Sequence, residues 1–354
     1  MSIRDDLLNA GRRASEVLVE YGARDRIDSG YTRIDPELIA GVADVVVVYR
    51  KMQRLLGGFI REENANGILV NFDRPRGLVH MTCAHELGHF FLGHSSTADE
   101  TVDYVHDADV IEQQANQFAY SLLSPAWLVA VTMRQRGWSR EHLRIPSIVY
   151  QLSLRLGTSF TAMVWSLVRL GHLARQDAER LVAIKPISVK RDALNGKLPK
   201  DAAKDVWILN KADKDRILEP GTQDEFVVDL PNHAGSGHLW SIDQLRSAGF
   251  TIKPVLKDGR EPAPQSPKKV TVGGGAATMR YSLVLPVEST QTTQENANSV
   301  GPLHRVIEML EAPPWQSGTL PNDRFGFTAE FDVMKDGLSQ TERDRRLSSS
   351  RGPR

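Results

Sequence analysis

The chain has 354 residues, of which 41% are hydrophobic and 25% are charged, and its formal net charge is zero. These values are typical of a globular protein with two or three domains. They exclude the strongly basic overall charge that is typical of nucleic-acid-binding proteins. The single cysteine excludes an intramolecular disulfide framework, so we expect a reducing compartment, the cytoplasm. The amino terminus lacks the apolar core of a signal peptide, and the absence of a run of about 18 apolar residues predicts no membrane span.

The first predicted elements are helices followed by a small sheet. Apolar residues recur with helical spacing over residues 3–22. Asp35 as the cap and Pro36 in the first turn predict a short second helix that ends at Ala40. Short β-branched runs predict strands at residues 45–49, 58–61 and 67–72, with a hairpin turn at residues 64–67. An extended peptide can add to the edge strand of such a sheet.

The stretch His85-Glu86-Leu87-Gly88-His89 follows this sheet and has the pattern H-E-x-x-H. Residues four apart lie on one face of a helix, so His85 and His89 can direct their imidazoles at one metal ion. The carboxylate of Glu86 then lies beside that face, where it can take a proton from an attacking water. The neighbouring Cys83 is interpreted as a small core residue. A chance match on a surface helix is the alternative.

A catalytic zinc site usually has three protein ligands, so a third ligand is needed. His94 does not fit the spacing of an extended H-E-x-x-H motif, and we interpret it as a structural or supporting residue. Glu112 is the better candidate, because Glu112, Asn116 and Tyr120 form one polar stripe on an otherwise apolar helix. Asn116 is then placed to hold a ligating histidine. Rival carboxylates in a predicted loop are Asp103, Asp107 and Asp109. Candidate donors to the oxyanion are Tyr120, His94, Tyr104 and His106.

Two longer patterns lie close together in this region. A-H-E-L-G-H-x-x-L-G-H occupies residues 84–94, and E-x-x-A-N-x-F-A-x-x-L-L-x-P occupies residues 112–125. Together they resemble the ImmA/IrrE metallopeptidases, and the resemblance extends over residues 1–170. It implies an α+β zincin-like fold, a Zn²⁺ ion bound by His85, His89 and Glu112, and Glu86 as the general base. It also implies the typical substrate, a helix-turn-helix transcriptional repressor that is cut once and inactivated.

Residues 139–186 are predicted to be a helical extension. Within it, residues 152–159 end one helix, turn and cap the next helix, which continues to Leu170 in a helix-turn-helix-like arrangement. The second helix is apolar, and only Arg169 is suited to contact a base edge. We therefore expect this pair of helices to pack or to dock a partner protein, and we do not expect direct binding of nucleic acid.

The composition changes after Pro186. Residues 187–204 are rich in Lys, Asp and Ala and are predicted to be a linker. Short strands then recur and predict an all-β immunoglobulin-like sandwich over residues 205–318. The predicted strands are 205–209, 225–230, 238–242, 251–256, 269–272, 278–285 and 303–310. Residues 319–354 are polar and are predicted to be a disordered tail.

Three loops of the predicted sandwich stand out, at residues 232–240, 273–275 and 312–315. They resemble the binding loops of chagasin-type inhibitors of cysteine peptidases, which read N-P-T-T-G-x-x-W, a Gly-rich turn and R-P-W. The first loop here is one residue longer and lacks Pro and Thr, and Pro313 stands where Arg is usual. A purely structural role for these residues is the alternative. The resemblance implies partner-binding loops that contain Asn232, Gly237, Trp240, Gly274 and Trp315.

These observations predict a zincin-like peptidase domain at residues 1–138, followed by the helical extension, the linker, the sandwich and the tail. The predicted function is that of a cytoplasmic zinc endopeptidase that cleaves a helix-turn-helix repressor. One alternative is a non-catalytic or regulatory binding protein that acts through the sandwich. Another is a DNA-binding regulator, which the zero net charge and the apolar second helix oppose.

Overall fold

The computed structural model describes residues 3–63, 65–96, 109–199, 201–222, 224–242, 245–246, 249–255, 278–285, 303–315 and 320–350. The chain forms two compact units: unit 1 contains residues 1–184 and 333–354, and unit 2 contains residues 185–332. Unit 1 is mixed α/β, and unit 2 is built mainly from β-sheets. Among the helices that the structure describes, none is long and apolar enough to span a membrane.

Unit 1 combines one small sheet with helices. Its helices are α1 (Ile3–Glu20), α2 (Ala23–Asp28), α3 (Pro36–Val42), α4 (Arg76–Leu92), α5 (Val110–Leu123), α6 (Ala126–Arg136), α7 (Pro146–Arg155), α8 (Phe160–Arg169) and α9 (Arg175–Val182), with α11 (Gln340–Ser350) near the carboxyl terminus. Its strands are β1 (Val45–Arg50), β2 (Gly57–Arg61), β3 (Asn66–Asn71) and β12 (Gly337–Leu338), in the order β12-β1-β3-β2. Among the described strands, β2 therefore lies at an edge of this sheet.

The sequence signals explain the first elements directly. The side chain of Asp35 accepts a hydrogen bond of 2.9 Å from the backbone N–H of Glu37, and Pro36 occupies the first turn of α3, as predicted for this helix start. In β1 the side chains of Val45, Val47 and Tyr49 are buried and alternate with less buried ones, because successive side chains of a strand point to opposite faces. The sheet thus presents one apolar face to the helices.

The helix α4 lies at the centre of unit 1, and all its residues from Val79 to His89 are buried. It packs on β2 and β3 and on α5. Gly88 permits a close approach of α5, because a Cβ atom added to Gly88 would lie only 3.0 Å from the Cα atom of Ala115. This approach places the start of α5 next to the histidines of α4.

The helical extension packs tightly on α4. A Cβ atom added to Gly77 would lie 2.3 Å from the backbone carbon of Thr158, in the turn between α7 and α8. The Nδ1 atom of His80 lies 3.0 Å from the carbonyl oxygen of Gly157. The apolar residues of α8 are buried, so this helix uses its apolar face for packing; they are Phe160, Ala162, Met163, Val164 and Leu167. The extension is part of unit 1.

The predicted linker at residues 187–204 differs from the structure. Its residues 187–193 belong to the helix α10 (Pro186–Ala193), which is part of unit 2. Leu194 at the end of α10 belongs to an apolar cluster with Val206 of the first strand of that unit. Lys190 is itself buried, and its ammonium group donates to two backbone carbonyl groups. The charged composition hid this packing, because the consecutive charged residues 190–192 lie among the residues that pack.

The described residues of unit 2 form two four-stranded sheets. Its strands are β4 (Val206–Leu209), β5 (Ile217–Leu218), β6 (Glu225–Pro231), β7 (Leu239–Trp240), β8 (Thr251–Pro254), β9 (Thr278–Val284), β10 (Leu303–Ala312) and β11 (Asp323–Phe331). The orders are β4-β6-β9-β8 and β5-β11-β10-β7. The rings of Phe226 on β6 and Phe327 on β11 are 5.4 Å apart and buried, so both sheets contribute to one core. The predicted strand at residues 269–272 lies outside the described residues.

The prediction of a disordered tail at residues 319–354 is wrong for residues 320–350. Within this range β11 is an internal strand of its sheet, β12 pairs antiparallel with β1, and α11 packs on α3. Polar groups anchor the last segment: the backbone N–H of Ser339 donates to Val47, and the buried carboxylate of Glu342 accepts from Arg345 and Arg346. Composition misled the prediction, because hydrogen bonds and ion pairs hold this segment where apolar residues are few.

Candidate active site

Two helices bring the predicted ligand residues together. His85 and His89 lie on consecutive turns of α4, and their Nε2 atoms are 3.0 Å apart. Glu112, in the first turn of α5, places one carboxylate oxygen 3.1 Å from Nε2 of His85 and the other 3.5 Å from Nε2 of His89. Both imidazoles are buried, whereas 27% of the Glu112 side chain is exposed. The cluster therefore opens to solvent on the side of the carboxylate.

Hydrogen bonds fix the tautomers of both histidines. Nδ1 of His85 lies 3.1 Å from Oδ1 of Asn116, and since an amide oxygen only accepts, Nδ1 carries the hydrogen. On the other side, Nε2 of His94 lies 3.0 Å from Oε1 of Gln114 and donates to it. Nδ1 of His94 is then an acceptor for Nδ1 of His89, 3.0 Å away. As a result of these two sets of hydrogen bonds, His85 and His89 each have an unprotonated Nε2 atom with a free lone pair.

This donor set fits a zinc ion. Two Nε2 lone pairs that face each other at 3.0 Å repel one another unless a cation lies between them. Zinc–nitrogen distances of 2.0–2.1 Å give a tetrahedron with edges of about 3.3 Å. The three donor separations, 3.0, 3.1 and 3.5 Å, surround that value. Two imidazoles and one carboxylate are also the ligand types of a catalytic zinc site with one open position.

Glu86 lies next to the edge strand β2. It is fully buried, and it follows the first histidine of the cluster directly in the chain. A Cβ atom added to Gly57 on β2 would lie 2.7 Å from Oε1 of Glu86 and 2.5 Å from Cγ2 of Thr82. Only glycine therefore allows β2 to pass this close to α4. The glutamate is therefore held between its own helix and the strand β2.

The remaining predicted residues are distributed differently. Asp109 is exposed at the start of α5 and is not part of the cluster. Tyr120 lies two turns beyond Glu112, about 12 Å along α5, and its ring lies 3.8 Å from the guanidinium carbon of Arg169. The structure therefore does not bring Tyr120 to the cluster, and both ring nitrogens of His94 are already engaged. Four further candidates lie outside the described residues: Asp103, Tyr104, His106 and Asp107.

Cys83 is buried in α4 beside the motif. Burial raises the pKa of its thiol well above the ordinary value, and the negative charges of Glu37, Asp35 and Glu86 raise it further. The thiol is therefore protonated at neutral pH and is a poor metal ligand. This agrees with the interpretation of Cys83 as a core residue.

Two residues of the site were missed at the level of the sequence, Gly57 and Gln114. The pair Gly57-Gly58 at the start of a strand was a usable signal, because glycine inside a strand marks close approach of another group. Gln114 gave no such signal. It lies two residues after Glu112, off the polar stripe, and only the position of His94 explains its role.

In unit 2, two of the three predicted loops meet. A Cβ atom added to Gly237, whose φ is +82°, would lie 2.5 Å from the ring of Trp315, so this indole packs directly on the glycine. Trp315 is 68% exposed. Trp240 is buried, and its ring N–H donates to Pro231. Asn232 accepts from a backbone N–H within its own loop. Gly274 lies outside the described residues.

Comparison with known proteins finds a family match within unit 1. Residues 40–163 match the family model described as the IrrE N-terminal-like domain of the peptidase family M78. The match includes both histidines, Glu86 and Glu112, and it confirms the resemblance to the ImmA/IrrE peptidases for this part of the chain. This part of unit 1 is therefore similar to a peptidase-family domain.

Other comparisons add little. No curated protein matches the chain significantly. Among solved structures, the cysteine protease inhibitor EhICP2 from Entamoeba histolytica aligns with 36% of this chain and 96% of its own chain, at 14% sequence identity and a TM-score of 0.23. A likeness at this level carries no argument about the fold or function of unit 2.

Proposed function

We propose that this protein is a zinc-dependent endopeptidase of the cytoplasm that cleaves, and so inactivates, a helix-turn-helix transcriptional repressor. The observation that supports it most directly is the cluster of His85, His89 and Glu112, with two histidine tautomers fixed so that both Nε2 lone pairs converge. The choice of substrate rests on the resemblance to the ImmA/IrrE peptidases. The choice of compartment rests on the single, buried thiol of Cys83.

In this proposal each residue of the site has one task. Zinc held by His85, His89 and Glu112 would supply Lewis acidity at the scissile carbonyl and acidify a water molecule. Glu86 accepts the proton of the attacking water and then delivers it to the nitrogen of the leaving amine. Asn116, through its hydrogen bond to His85, keeps the imidazole oriented and its metal-facing nitrogen unprotonated.

The edge strand β2 is the proposed track for the substrate. It is the last strand in the order of the described sheet, and its residues Gly57 and Phe59 lie against α4 beside Glu86 and Phe90. An extended peptide that pairs with β2 would run past the general base. We further infer a zincin-like fold for unit 1 from this arrangement of edge strand and motif helix.

Co-expression tests the function. The enzyme or its Glu86→Gln variant is produced together with helix-turn-helix repressors encoded nearby, and repressor fragments are separated by mass. We expect one discrete product with the wild type. The Glu86→Gln variant should keep its zinc and lose about 10²–10⁴-fold in cleavage rate, because the ligands remain while the proton acceptor is removed.

The matched control is Glu179→Gln, which makes the same change at an exposed position of α9. It should cleave at the wild-type rate. Near-wild-type turnover by metal-loaded Glu86→Gln would refute the role of the general base. Absence of any repressor product from wild-type enzyme, with generic unfolded proteins still cut, would refute only the choice of substrate.

A second candidate function concerns unit 2, for which we infer an immunoglobulin-like, chagasin-like sandwich that binds a partner protein. Two observations favour it: both sheets share a core, and the exposed indole of Trp315 packs on Gly237 where two loops meet. An exposed aromatic side chain on loops of a rigid scaffold is typical of binding sites. A Trp315→Ala variant with unchanged zinc content and unchanged selection of substrates would count against this role.

A further inference from the structure

Unit 1 contains a second cleft, separate from the metal cluster. It has a volume of about 750 Å³ and lies between α1, α2, α5, α6 and α8. Neither histidine of the cluster, nor Glu86, nor Glu112 lines it. A cleft of this size is in the range that binds small organic molecules.

Two arginine side chains give the cleft a positive character. The guanidinium carbon of Arg169 lies 3.8 Å from the ring centroid of Tyr120, and that of Arg24 lies 4.5 Å from the ring centroid of Trp127. A guanidinium group stacked on a ring keeps its N–H donors in its own plane, where they can bind an anion. In the part of the chain that the structure describes, neither arginine forms an ion pair. Asp25 is the one carboxylate among the lining residues, so two positive charges face one negative charge.

The polar groups at the base of the cleft also suit an anion. Ser124 and Ser166 line it, are 3% and 2% exposed, and have hydroxyl groups without a hydrogen-bond partner among the described residues. The helix α6 begins there, directly after Pro125, which has no side-chain acceptor for the first-turn N–H groups. Such N–H groups and the positive end of the helix dipole favour an anion.

The remaining wall is apolar. Val19 of α1 is 80% exposed although it lines the cleft, and Leu170 and Trp127 are half-buried beside it. A ligand that covers these side chains removes apolar surface from water. The cleft thus has cationic hydrogen-bond donors on one side and apolar side chains on another. This lining is complementary to a ligand that has an anionic group and an apolar body.

We propose that this cleft binds a small organic anion. Its carboxylate or phosphate group is held by Arg24, Arg169 and the first turn of α6, and its apolar or aromatic body lies against Val19 and Trp127. The ligand enters independently of the metal cluster, so the proposal stands or falls without the peptidase activity. The helix α5 carries Glu112 at one end and Tyr120 of the cleft near the other, and therefore connects the two sites through one rigid element.

Binding to the full-length protein tests the proposal by calorimetry, with 1-naphthoate, 1-naphthyl phosphate, inorganic phosphate and the neutral 1-naphthalenemethanol as probes. We expect saturable one-to-one binding of at least one naphthyl anion and much weaker binding of the neutral probe and of inorganic phosphate. The better of the two anions identifies the headgroup as a carboxylate or a phosphate. Saturable binding of none of the anions at millimolar concentration overturns the proposal.

Variants locate the site. Arg169→Gln should weaken the binding of the naphthyl anion about 10–100-fold, the effect of a lost charged hydrogen bond. Arg24→Gln, at an exposed position that does not endanger folding, should weaken it in the same direction. Arg134→Gln, an exposed residue in the last turn of α6, is the matched control and should bind as the wild type does. Wild-type affinity in a folded Arg24→Gln or Arg169→Gln variant, or equal weakening by all three, overturns the assignment.

Discussion

The substitution Gly57→Ala tests whether the edge strand positions the general base. The added methyl carbon would lie 2.5 Å from Cγ2 of Thr82, 2.7 Å from Oε1 of Glu86 and 3.0 Å from the carbonyl oxygen of Leu69. Carbon atoms in contact normally lie about 3.5–4.0 Å apart, so about 1 Å of overlap with Thr82 must be relieved. Either β2 moves away from α4 or the Glu86 carboxylate is displaced.

The size of the effect follows from that displacement. A misplacement of about 1 Å at a reacting group can cost about 10²-fold in rate, and overpacking costs about 1–3 kcal/mol of stability. The proposed metal ligands come from α4 and α5, and none of the three atoms nearest to the new methyl group belongs to them. We therefore expect Gly57→Ala to retain one zinc per chain while cleavage of the repressor slows about 10²-fold.

The assay compares zinc content by elemental analysis with the initial rate of cleavage, for wild type, Gly57→Ala and Gly67→Ala. Gly67 on the neighbouring strand β3 is the matched control, because a Cβ atom there would meet only Val46, at an ordinary distance of 3.8 Å. Wild-type turnover in a folded Gly57→Ala protein would refute the reasoning. Equal losses in both variants would show a general effect on the sheet and would refute it as well.

Three further predictions concern the ligands and the carboxyl-terminal segment. Glu112→Ala should lose both zinc and activity, whereas Asp109→Ala should keep both; full zinc content in Glu112→Ala would move the third ligand elsewhere. Asn116→Ala should lower zinc affinity about 10–100-fold, measured by competition with a chelator, and Asn116→Asp, which keeps an acceptor for His85, should restore most of it. Burial alone would raise the pKa of Glu342, but hydrogen bonds from two arginines outweigh it and hold the pKa below its ordinary value. Since the folded pKa is depressed, the stability that this carboxylate contributes is present above the unfolded pKa of about 4.3 and is lost as the pH falls through the folded pKa. The melting temperature should therefore fall less between neutral and acid pH in Glu342→Gln than in the wild type.

Local patterns in the sequence predicted α1, α3, α4, α5 and the strands β1 to β3 of unit 1, together with the residues of the metal cluster, but they did not predict α2, β12 or α11. Spacing alone placed His85 and His89 on one face, and the polar stripe of α5 singled out Glu112 and Asn116, because helical periodicity is a short-range property. The hydrogen bonds that connect His89 to His94 and His94 to Gln114 were not predictable in this way. They depend on the close packing of α4 against α5, which Gly88 allows and which no local pattern encodes.

The carboxyl-terminal segment shows the same limit. Its pairing of Gly337 with Tyr49 joins positions far apart in the chain, and its buried residues include Ser339 and Glu342, which composition assigns to the surface. The strand β11 was missed for a related reason, since the polar residues around it suggested a tail. Composition predicts only the average burial of a segment. A few buried polar groups that form hydrogen bonds are enough to make that prediction wrong.

The return of the chain to unit 1 through β12 has a consequence for folding. The pairing of β1 with β12 closes a loop that contains all of residues 185–332, and the entropy lost on closure grows with the length of flexible chain that the loop contains. A folded unit 2 replaces most of that flexible chain by a compact body. The strand β12 and α11 should therefore dock late, after unit 2 and the amino-terminal part of unit 1 have formed. A substitution that unfolds unit 2 would then also loosen the edge that β12 forms in the sheet of unit 1, although it changes no residue of that sheet.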